Sequence, residues 1–465
     1  MLNKGSGTVG GHLPQKFICV AIIFSLIFTP VISSEEDMNV LFDEFDCIKS
    51  TSNEMLLPPL SPIDMVLEET MFRRCSIREF SDEMVTIEDL STILWAAYGY
   101  RDDGKRTVPP VDETYGVKIY VLLKNESLKL DVYTYDALNH SLLFLKKISS
   151  MNFAQYKAPA YIGLVWDKNK SDNENYICGE IGGIGQNIAF AANALNLGSV
   201  VNADILPWAY LSNIGLPDNE IPKILMPLGH PRFSYNFKYR PWDFSLLPKI
   251  KRSDMSLTES ISQRMNSSSW SGSLTKQEQY QMIWSTYGFS YLLDKAESDF
   301  YYHIDRHRTV PSAHGYYPLR MYYVTEKGIY QYHPNVLLYL TSTPFIDFAG
   351  LPILSYIEKM DNGDQRDDLA SACLKPALSE APLVIIPVLD LDRTRPEGGD
   401  DFSGEEMRWM WYYEAAASAY NVQLVSTAWD LSSNMFPIEQ KNEICSILSL
   451  NSDSYDPLFL VPVGE

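Results

Sequence analysis

Two arginines and a serine alternate along one short segment of the 465-residue chain, as Arg74, Ser76 and Arg78. In an extended segment, alternate side chains point to the same side. Two guanidinium groups and a hydroxyl on one side suit a phosphate dianion, because arginine pairs with phosphate oxygens in a bidentate manner. The segment is therefore a candidate phosphate site, although such a pattern taken alone is typical of a solvated strand edge.

The elements that must position this segment occur twice. Seven landmarks recur in the same order, at 94–100 and 283–289, 106–109 and 308–311, 117–121 and 319–324, 131–136 and 328–333, 158–165 and 381–388, 180–201 and 414–435, and 225–229 and 459–464. This recurrence predicts two copies of a domain of about 200 residues, a usual domain size. We expect the boundary near residues 243–258, where hydrophobic periodicity is weak.

Hydrophobic patterns predict the main elements of the first copy. Ile87 to Tyr98 has helical spacing, while Val117 to Leu123 and Tyr161 to Val165 are typical of strands. A long helix rich in glycine and alanine is predicted from Gly182 to Leu197, with Gly198 as its stop. Its small residues suit either the centre of a pseudo-dimer or an ordinary core, and the sequence leaves both open.

Charge and cysteine content exclude several classes of protein. The 59 acidic and 38 basic side chains give a net charge of −21, which disfavours a nucleic-acid partner. The composition, 46% hydrophobic and 21% charged, is that of a globular chain. The six cysteines form no metal-binding spacing, so we predict no metal site, and at most one disulfide is expected.

The first 34 residues differ from the rest. Lys4 and Lys16 precede an apolar run from Phe17 to Ile32, which small and acidic residues follow. The pattern favours a secretory signal peptide first, an uncleaved membrane anchor second and a buried helix third. We therefore expect an exported or membrane-anchored protein, with a cytoplasmic location less favoured and membrane contact only through this segment.

Four motifs together carry a resemblance to a known family. They are Arg-Arg-Cys-Ser-Ile-Arg-Glu-Phe at 73–80, Arg-Thr-Val-Pro-Ser-Ala-His-Gly-Tyr-Tyr-Pro-Leu at 308–319, Gly-Gln-Asn at 185–187 and Leu-Met-Pro-Leu-Gly-His-Pro at 225–231. In this order they resemble the nitroreductase family, most closely its SagB-type dehydrogenase branch. The resemblance covers about residues 60–465. It implies an α+β fold of three α/β/α layers, with two fused nitroreductase-like domains that form an intramolecular pseudo-dimer.

The resemblance also implies a cofactor site. Family members are typically homodimers with FMN at the subunit interface, where one subunit supplies basic residues to the phosphate and the other a Pro-Ser-Ala loop beside the flavin ring. Carried over to this chain, the cofactor-binding residues are Arg74, Ser76, Arg78, Gln186, Asn202, Ala203, Lys238, Arg240, Pro311, Ser312 and Ala313. For Gln186, capping of internal polar groups is an equally good interpretation.

Only one of the two equivalent sites keeps its residues. The second copy reads Arg264-Met265-Asn266-Ser267-Ser268, so a serine stands where Arg78 stands in the first copy. The first copy reads Pro109-Pro110-Val111 where the second has the Pro-Ser-Ala loop. Both losses fall on the same site, and we therefore predict one FMN per chain.

The resulting prediction is an FMN-dependent oxidoreductase, of dehydrogenase or nitroreductase type, that moves a hydride between flavin N5 and a small-molecule or peptide substrate. NAD(P)H is a possible transient electron donor, and no catalytic acid or base can be assigned. The alternatives are a catalytically degenerate flavin- or partner-binding relative and, ranked lowest, a structural secreted domain. The predicted organisation is a signal or anchor at 1–34, a linker at 35–60, domains at 61–245 and 246–465, and a monomeric chain.

Overall fold

A computed structural model describes the chain over residues 53–112, 114–148, 156–203, 214–238, 247–295, 305–334 and 355–465. The predicted signal or anchor and most of the predicted linker lie outside these ranges. Within them, no helix is both long enough and apolar enough to cross a membrane. The four cysteines in the described ranges, Cys75, Cys178, Cys373 and Cys445, carry free thiols.

The first half of the described chain is mainly a sheet with helices against it. Its helices are α1 (Leu67–Arg73), α2 (Ile87–Tyr98) and α3 (Glu174–Ala194). Its strands are β1 (Glu54–Leu56), β2 (Val117–Lys124), β3 (Leu130–Asp136), β4 (Ser141–Ile148), β5 (Ala160–Asp167), β6 (Gly198–Ser199), β7 (Glu220–Gly229) and β8 (Tyr235–Lys238). The predicted helix at 87–98 and the predicted strands at 117–123 and 161–165 are confirmed.

The second half repeats this arrangement. Its helices are α4 (Leu257–Gln263), α5 (Lys276–Tyr287), α6 (Arg366–Ala372), α7 (Arg408–Ala428) and α8 (Lys441–Ile447). Its strands are β9 (Phe289–Lys295), β10 (Asp305–Arg308), β11 (Leu319–Thr325), β12 (Gly328–His333), β13 (Tyr356–Asn362), β14 (Leu383–Asp390), β15 (Ser432–Ser433), β16 (Phe436–Pro437), β17 (Tyr455–Pro457) and β18 (Phe459–Gly464).

The two large sheets share one strand order. In the first half, β4-β3-β2-β5-β7-β6 are adjacent in that order, with β1 added at the β4 edge. In the second half, the order is β13-β12-β11-β14-β18-β15, which places each strand where its counterpart lies in the first sheet. All of these pairings are antiparallel. A third, small sheet joins β8 of the first half to β9 and β10 of the second.

Both faces of the second sheet are buried, because alternate residues of β14 belong to two different hydrophobic clusters. Leu383 and Ile385 belong to the central core cluster, whereas Val384 and Ile386 belong to an outer cluster with residues of α6 and α8. Since successive side chains of a strand point to opposite faces, the sheet lies between two layers of helix. This half therefore has the three-layer α+β arrangement that the sequence predicts.

The long helix α3 differs from its predicted bounds of Gly182–Leu197. It begins at Glu174, eight residues earlier, where the Asn173 side chain caps it. It ends before Asn196, whose φ of 61° is the left-handed conformation predicted for Gly198. Asparagine tolerates this region, so it serves as the helix stop and the glycine instead begins β6.

Helices α3 and α7 lie together at the centre of the molecule. A Cβ atom added to Gly182 of α3 would lie 2.4 Å from the Tyr413 carbonyl oxygen of α7, so the two backbones are in close contact there. The central core cluster contains residues of both halves, for example Ile184 and Ala416. The Gly- and Ala-rich helix thus packs against its counterpart.

Candidate active site

A cavity of about 460 Å³ lies where the two halves meet. Its volume is within the range of about 300–1,000 Å³ that small-molecule sites have. The cavity is bordered by the segment after α1, the segment after α3, the loop after β10 and the start of α7. Seven of the predicted cofactor residues line it: Ser76, Arg78, Asn202, Ala203, Pro311, Ser312 and Ala313.

The segment after α1 directs two polar side chains into this cavity. The Ile77 N–H donates to the Ser199 carbonyl at 2.9 Å, and the Ile77 side chain is buried. Ser76 and Arg78 flank Ile77 in the extended chain, so they face the opposite side, where they line the cavity. Arg78 is exposed and donates weakly to the Ser76 carbonyl at 3.4 Å. Its guanidinium is therefore available to an anion.

Arg74 does not line the cavity, in contrast to the prediction. Its Nε donates to the Arg308 carbonyl at 2.6 Å, and only 2% of the residue is exposed. Arg74 is the C-cap of α1, and its side chain therefore crosses to β10 of the second half. Arg264, the C-cap of α4, crosses in the other direction, with its Nε donating to the Thr107 carbonyl at 3.4 Å. The two buried arginines link the halves.

The loop after β10 is closed by Ser312. The Ser312 Oγ accepts a hydrogen bond from the Tyr317 N–H at 2.8 Å. Between them, His314 and Gly315 have φ values of 53° and 72°, and Tyr317 itself has a φ of 49°. Left-handed backbone at non-glycine residues costs about 1–3 kcal/mol and persists only where the surroundings hold it. The Ser312 hydroxyl thus holds the shape of the loop that borders the cavity.

The segment after α3 is fixed by the first sheet. The Leu225 N–H donates to the Asn202 carbonyl at 3.0 Å, which attaches this segment to β7. Val200, Asn202 and Ala203 line the cavity next to the Ser312 loop. Asn202 and Ala203 are therefore placed with the other candidate cofactor residues, as the sequence predicts.

Besides Arg74, three other predicted residues lie elsewhere or outside the described part. Gln186 is fully buried in α3, where its Nε2 donates to the Thr309 carbonyl at 2.6 Å and to Asn421 Oδ1 at 3.0 Å. It therefore serves internal polar contacts, one of the two roles that the sequence leaves open. The Lys238 backbone belongs to β8, whereas its side chain and all of Arg240 lie outside the described residues.

Sequence reasoning missed the aromatic wall of the cavity. The missed lining residues include Tyr156, Trp409, Met410 and Tyr413. Tyr413 is 5% exposed, and its hydroxyl has no hydrogen-bond partner among the described residues. The sequence did contain a signal for this wall. The mainly aromatic segment at 409–413 directly precedes Glu414 in the second half, whereas Gly179 precedes the matching Glu180 in the first half.

Each half also contains a buried glutamate that accepts a hydrogen bond from a tyrosine. In the first half, the Tyr98 hydroxyl donates to one carboxylate oxygen of Glu180 and the Gly116 N–H donates to the other at 3.1 Å. The Arg106 guanidinium lies 4.1 Å from the centre of the Tyr98 ring. Burial raises the pKa of Glu180 to about 7, against the lowering effect of these hydrogen bonds.

The glutamate of the second half lies behind the cavity loop. The Tyr287 hydroxyl donates to Glu414 Oε1, and the Arg308 guanidinium lies 4.6 Å from the centre of the Tyr287 ring. Burial raises the pKa of Glu414 to about 7, while Tyr287 and Ser312 oppose that rise. The Ser312 hydroxyl lies near enough to the Glu414 carboxyl to lower its pKa. Even so, no described residue makes a hydrogen bond of good geometry to Glu414 Oε2.

Comparison with known proteins agrees with this architecture. Residues 71–230 match the nitroreductase family. A nitroreductase homologue from Methanocaldococcus jannaschii is 30% identical over 195 residues, which are 38% of this chain and 96% of the relative. A nitroreductase crystal structure from Anabaena variabilis is 13% identical, with a TM-score of 0.59 over 90% of this chain and 94% of its own.

The structural match and the sequence match cover different extents of the chain. The Anabaena variabilis likeness shows the fold and spans both halves. A crystal structure from Ralstonia eutropha matches 40% of this chain and 93% of its own, with 23% identity and a TM-score of 0.36. The sequence similarity to the Methanocaldococcus jannaschii relative covers nearly all of that relative. This chain belongs to the nitroreductase family.

Proposed function

We propose that this chain is an FMN-dependent oxidoreductase with one flavin site, formed between two nitroreductase-like halves. The observation that carries the proposal is a cavity to which the first half contributes Ser76 and Arg78 and the second half contributes the Ser312 loop. The family membership supports the cofactor, because nitroreductases typically bind FMN. The cavity residues support the position of the site.

The residues present fit such a cofactor. The Arg78 guanidinium and the Ser76 hydroxyl lie on one side of an extended segment and can bind a phosphate. Trp409 and Pro311 provide apolar surface for a planar ring. The Tyr413 hydroxyl, which has no partner among the described residues, offers one further hydrogen bond. When bound, FMN supplies the hydride chemistry, while the protein binds and orients it.

The chain's own side chains also define where a substrate would lie. His314 lines the cavity and stacks on Phe402, with ring centres 4.5 Å apart. The Tyr316 hydroxyl accepts from the Asp400 N–H at 3.0 Å and so ties this aromatic group to the acidic segment before α7. An aromatic border favours a small molecule or a peptide with a flat ring. Both NAD(P)H oxidation and SagB-type oxidation of a peptide ring are compatible with it.

We further propose that the two halves arose by duplication and form an intramolecular pseudo-dimer, with domains at 61–245 and 246–465. The shared strand order of the two sheets supports this, as does the likeness to Anabaena variabilis over 90% of the chain. A chain that contains both halves of its interface need not dimerise, so we propose a monomer. The apolar segment within 1–34 supports export or membrane anchoring.

Flavin retention tests the proposal. The chain lacking residues 1–34 is mixed with FMN, freed of excess FMN and examined by absorbance, which should show about one flavin per chain. Arg78→Ser removes a charge-assisted hydrogen bond worth about 1.5–3 kcal/mol, so the Kd should rise about 10- to 100-fold. Arg252→Ser removes an exposed arginine that pairs with Glu69 away from the cavity, and it should retain FMN.

The outcomes separate the candidate functions. A wild-type chain that retains no flavin would refute the oxidoreductase and favour a nitroreductase-fold scaffold that binds something else. Two flavins per chain, or equal losses in Arg78→Ser and Arg252→Ser, would refute the single site. A bound flavin that no donor or substrate can reduce would favour the degenerate flavin-binding alternative.

A further inference from the structure

The two buried glutamates are equivalent in position but differ in their hydrogen bonds. Glu180 has both carboxylate oxygens bonded, one by the Tyr98 hydroxyl and one by the Gly116 N–H. Glu414 accepts one hydrogen bond of good geometry, from the Tyr287 hydroxyl to Oε1. The Ser312 hydroxyl and the Ala313 N–H lie close to the carboxyl, but no described residue makes a hydrogen bond of good geometry to Oε2. A buried polar atom without a partner is uncommon in a folded protein and calls for an explanation.

The Glu414 carboxyl lies behind the wall of the flavin cavity. Ser312 and the Ala313 N–H both lie near enough to Glu414 to lower its pKa, and both residues line the cavity. Tyr413, the residue before Glu414, also lines the cavity. Glu414 is itself 1% exposed and is not a lining residue, so it can act on a bound ligand only through this wall.

We propose that Glu414 is a positioning residue for the Ser312 loop and that its protonation is coupled to the binding of an anionic ligand in the cavity. This inference rests on the proposed function, which supplies FMN as that ligand. Glu180 has the equivalent tyrosine donor and nearby arginine in the other half, but neither of its neighbours in the chain lines the cavity. It therefore provides a matched control within the same chain.

The chemistry of a buried carboxyl explains the coupling. A charged carboxylate with an unbonded oxygen is costly to bury, so the neutral form is favoured. The Ser312 hydroxyl stabilises the charged carboxylate as a donor. When the carboxyl is protonated it becomes a donor itself, and the Ser312 oxygen has a second lone pair that can accept from it. The neutral carboxyl thereby supports the loop that the Tyr317 N–H closes from the other side.

Several titratable and charged groups surround this carboxyl. Tyr287 on α5 donates to it, and Arg308 on β10 attracts its charged form. Tyr317 follows the loop and Tyr413 lies on α7 itself, and burial raises the pKa of both phenols, so they stay neutral near pH 7. Arg308 is thus the cation that acts most directly on the Glu414 charge.

The direction of the pH effect follows from the charges. Below pH 7 the carboxyl is mostly neutral, and above pH 7 it is mostly charged and repels a phosphate or a reduced flavin anion. The affinity of the wild-type chain for FMN should therefore fall as the pH rises through 7. Glu414→Gln keeps the Tyr287 hydrogen bond and cannot gain a charge, so this part of the pH dependence should disappear.

The test measures the Kd for FMN by flavin fluorescence from pH 6 to 9 in the wild type, Glu414→Gln and Glu180→Gln. The free FMN phosphate titrates near pH 6, so the informative quantity is the ratio of wild-type to variant Kd at each pH. Two charges about 10 Å apart at an effective dielectric constant of about 20 change affinity about 16-fold, and salt reduces this. We expect the wild-type to Glu414→Gln ratio to rise about 5- to 15-fold and the wild-type to Glu180→Gln ratio to stay constant.

Three results would overturn the inference. A wild-type to Glu414→Gln ratio that does not change with pH excludes the coupling, and so does a Glu180→Gln variant that behaves like Glu414→Gln. A wild-type chain that binds no FMN at any pH removes the proposed function and the inference together. If FMN binds but the wild-type to Glu414→Gln ratio of Kd values does not change with pH, only the inference is refuted and the proposed function stands.

A second pair of variants keeps the test decisive if Glu414→Gln does not fold, as judged by circular dichroism. Tyr287→Phe retains the carboxyl but removes the donor that stabilises its charge, so the pH at which FMN affinity falls should move upward. Tyr98→Phe makes the same change around Glu180 and should leave that pH unmoved. Equal shifts in both variants would contradict the role of Glu414.

Discussion

Replacing Gly182 by alanine would test how closely the two halves are packed. The added Cβ would lie 2.4 Å from the Tyr413 carbonyl oxygen, whereas ordinary contact begins at 3.4 Å, so α3 and α7 must separate by 3.4 − 2.4 = 1.0 Å. The added Cβ is attached rigidly to the α3 backbone, and the oxygen belongs to the α7 backbone, so neither atom can rotate away. Overpacking of this kind costs about 1–3 kcal/mol, and a backbone clash belongs at the upper end. Alanine regains about 1 kcal/mol of helix propensity, which leaves a net loss of about 2 kcal/mol.

The neighbouring glycine provides the control. A Cβ on Gly183 would lie 2.7 Å from Val108 Cγ1, so the side chain of one valine, and not helix backbone, has to give way. Its overpacking cost belongs near the lower end, about 1 kcal/mol, and the gain in helix propensity offsets it. Gly183→Ala should therefore be nearly neutral in chemical denaturation, while Gly182→Ala should unfold at clearly lower denaturant concentration. Equal midpoints for the two variants would refute the rigid contact between α3 and α7.

Two further predictions concern buried polar groups. Tyr413→Phe removes a hydroxyl that has no partner among the described residues, so the free energy of unfolding should change by less than about 0.5 kcal/mol in chemical denaturation, and a loss above about 1 kcal/mol would contradict this. Glu180 and Glu414 have folded-state pKa values raised from 4.5 to about 7, so their contribution to stability is complete below pH 4.5 and is lost as the pH rises through 7. The denaturant concentration at the unfolding midpoint should therefore decrease as the pH is raised from 5 to 8, and the double variant Glu180→Gln/Glu414→Gln should show a smaller decrease. An equal decrease in the wild type and the double variant would contradict these raised pKa values.

Local patterns predicted the elements that are long and well bounded. The helix at 87–98 is bounded by Thr86, whose side chain accepts from the Asp89 N–H, and by Gly99. The strands at 117–124 and 160–167 are buried and rich in β-branched residues, which is the pattern that identifies them. These signals are short-range, so the sequence alone contains them.

Arg74 shows where local reasoning fails. Alternation placed it with Ser76 and Arg78, but it ends a seven-residue helix, α1, that is too short to leave a clear periodic signal. Its partner, the Arg308 carbonyl, lies 234 residues away along the chain. A contact between halves cannot be derived from the pattern of either half, and the same holds for Gln186, whose partners Thr309 and Asn421 belong to the second half.

Comparison of the two halves separates residues that support the fold from residues that form the site. The features present in both halves lie at the contact between halves or behind it, and all of them except the partly exposed Arg106 are buried. They are Arg74 and Arg264, Tyr98 and Tyr287, Arg106 and Arg308, and Glu180 and Glu414. Equivalent structural demands explain why both halves contain them.

Three of the features that differ line the cavity. Arg78, Ser312 and Tyr413 have Ser268, Pro110 and Gly179 as their counterparts in the other half. Val111, the counterpart of Ala313, packs against Gly179, since an added Cβ there would lie 2.9 Å from Val111 Cγ2. A second cavity would thus need changes at several positions at once. Ser268→Arg alone should restore a cation without restoring a site, so that flavin stoichiometry stays at one per chain.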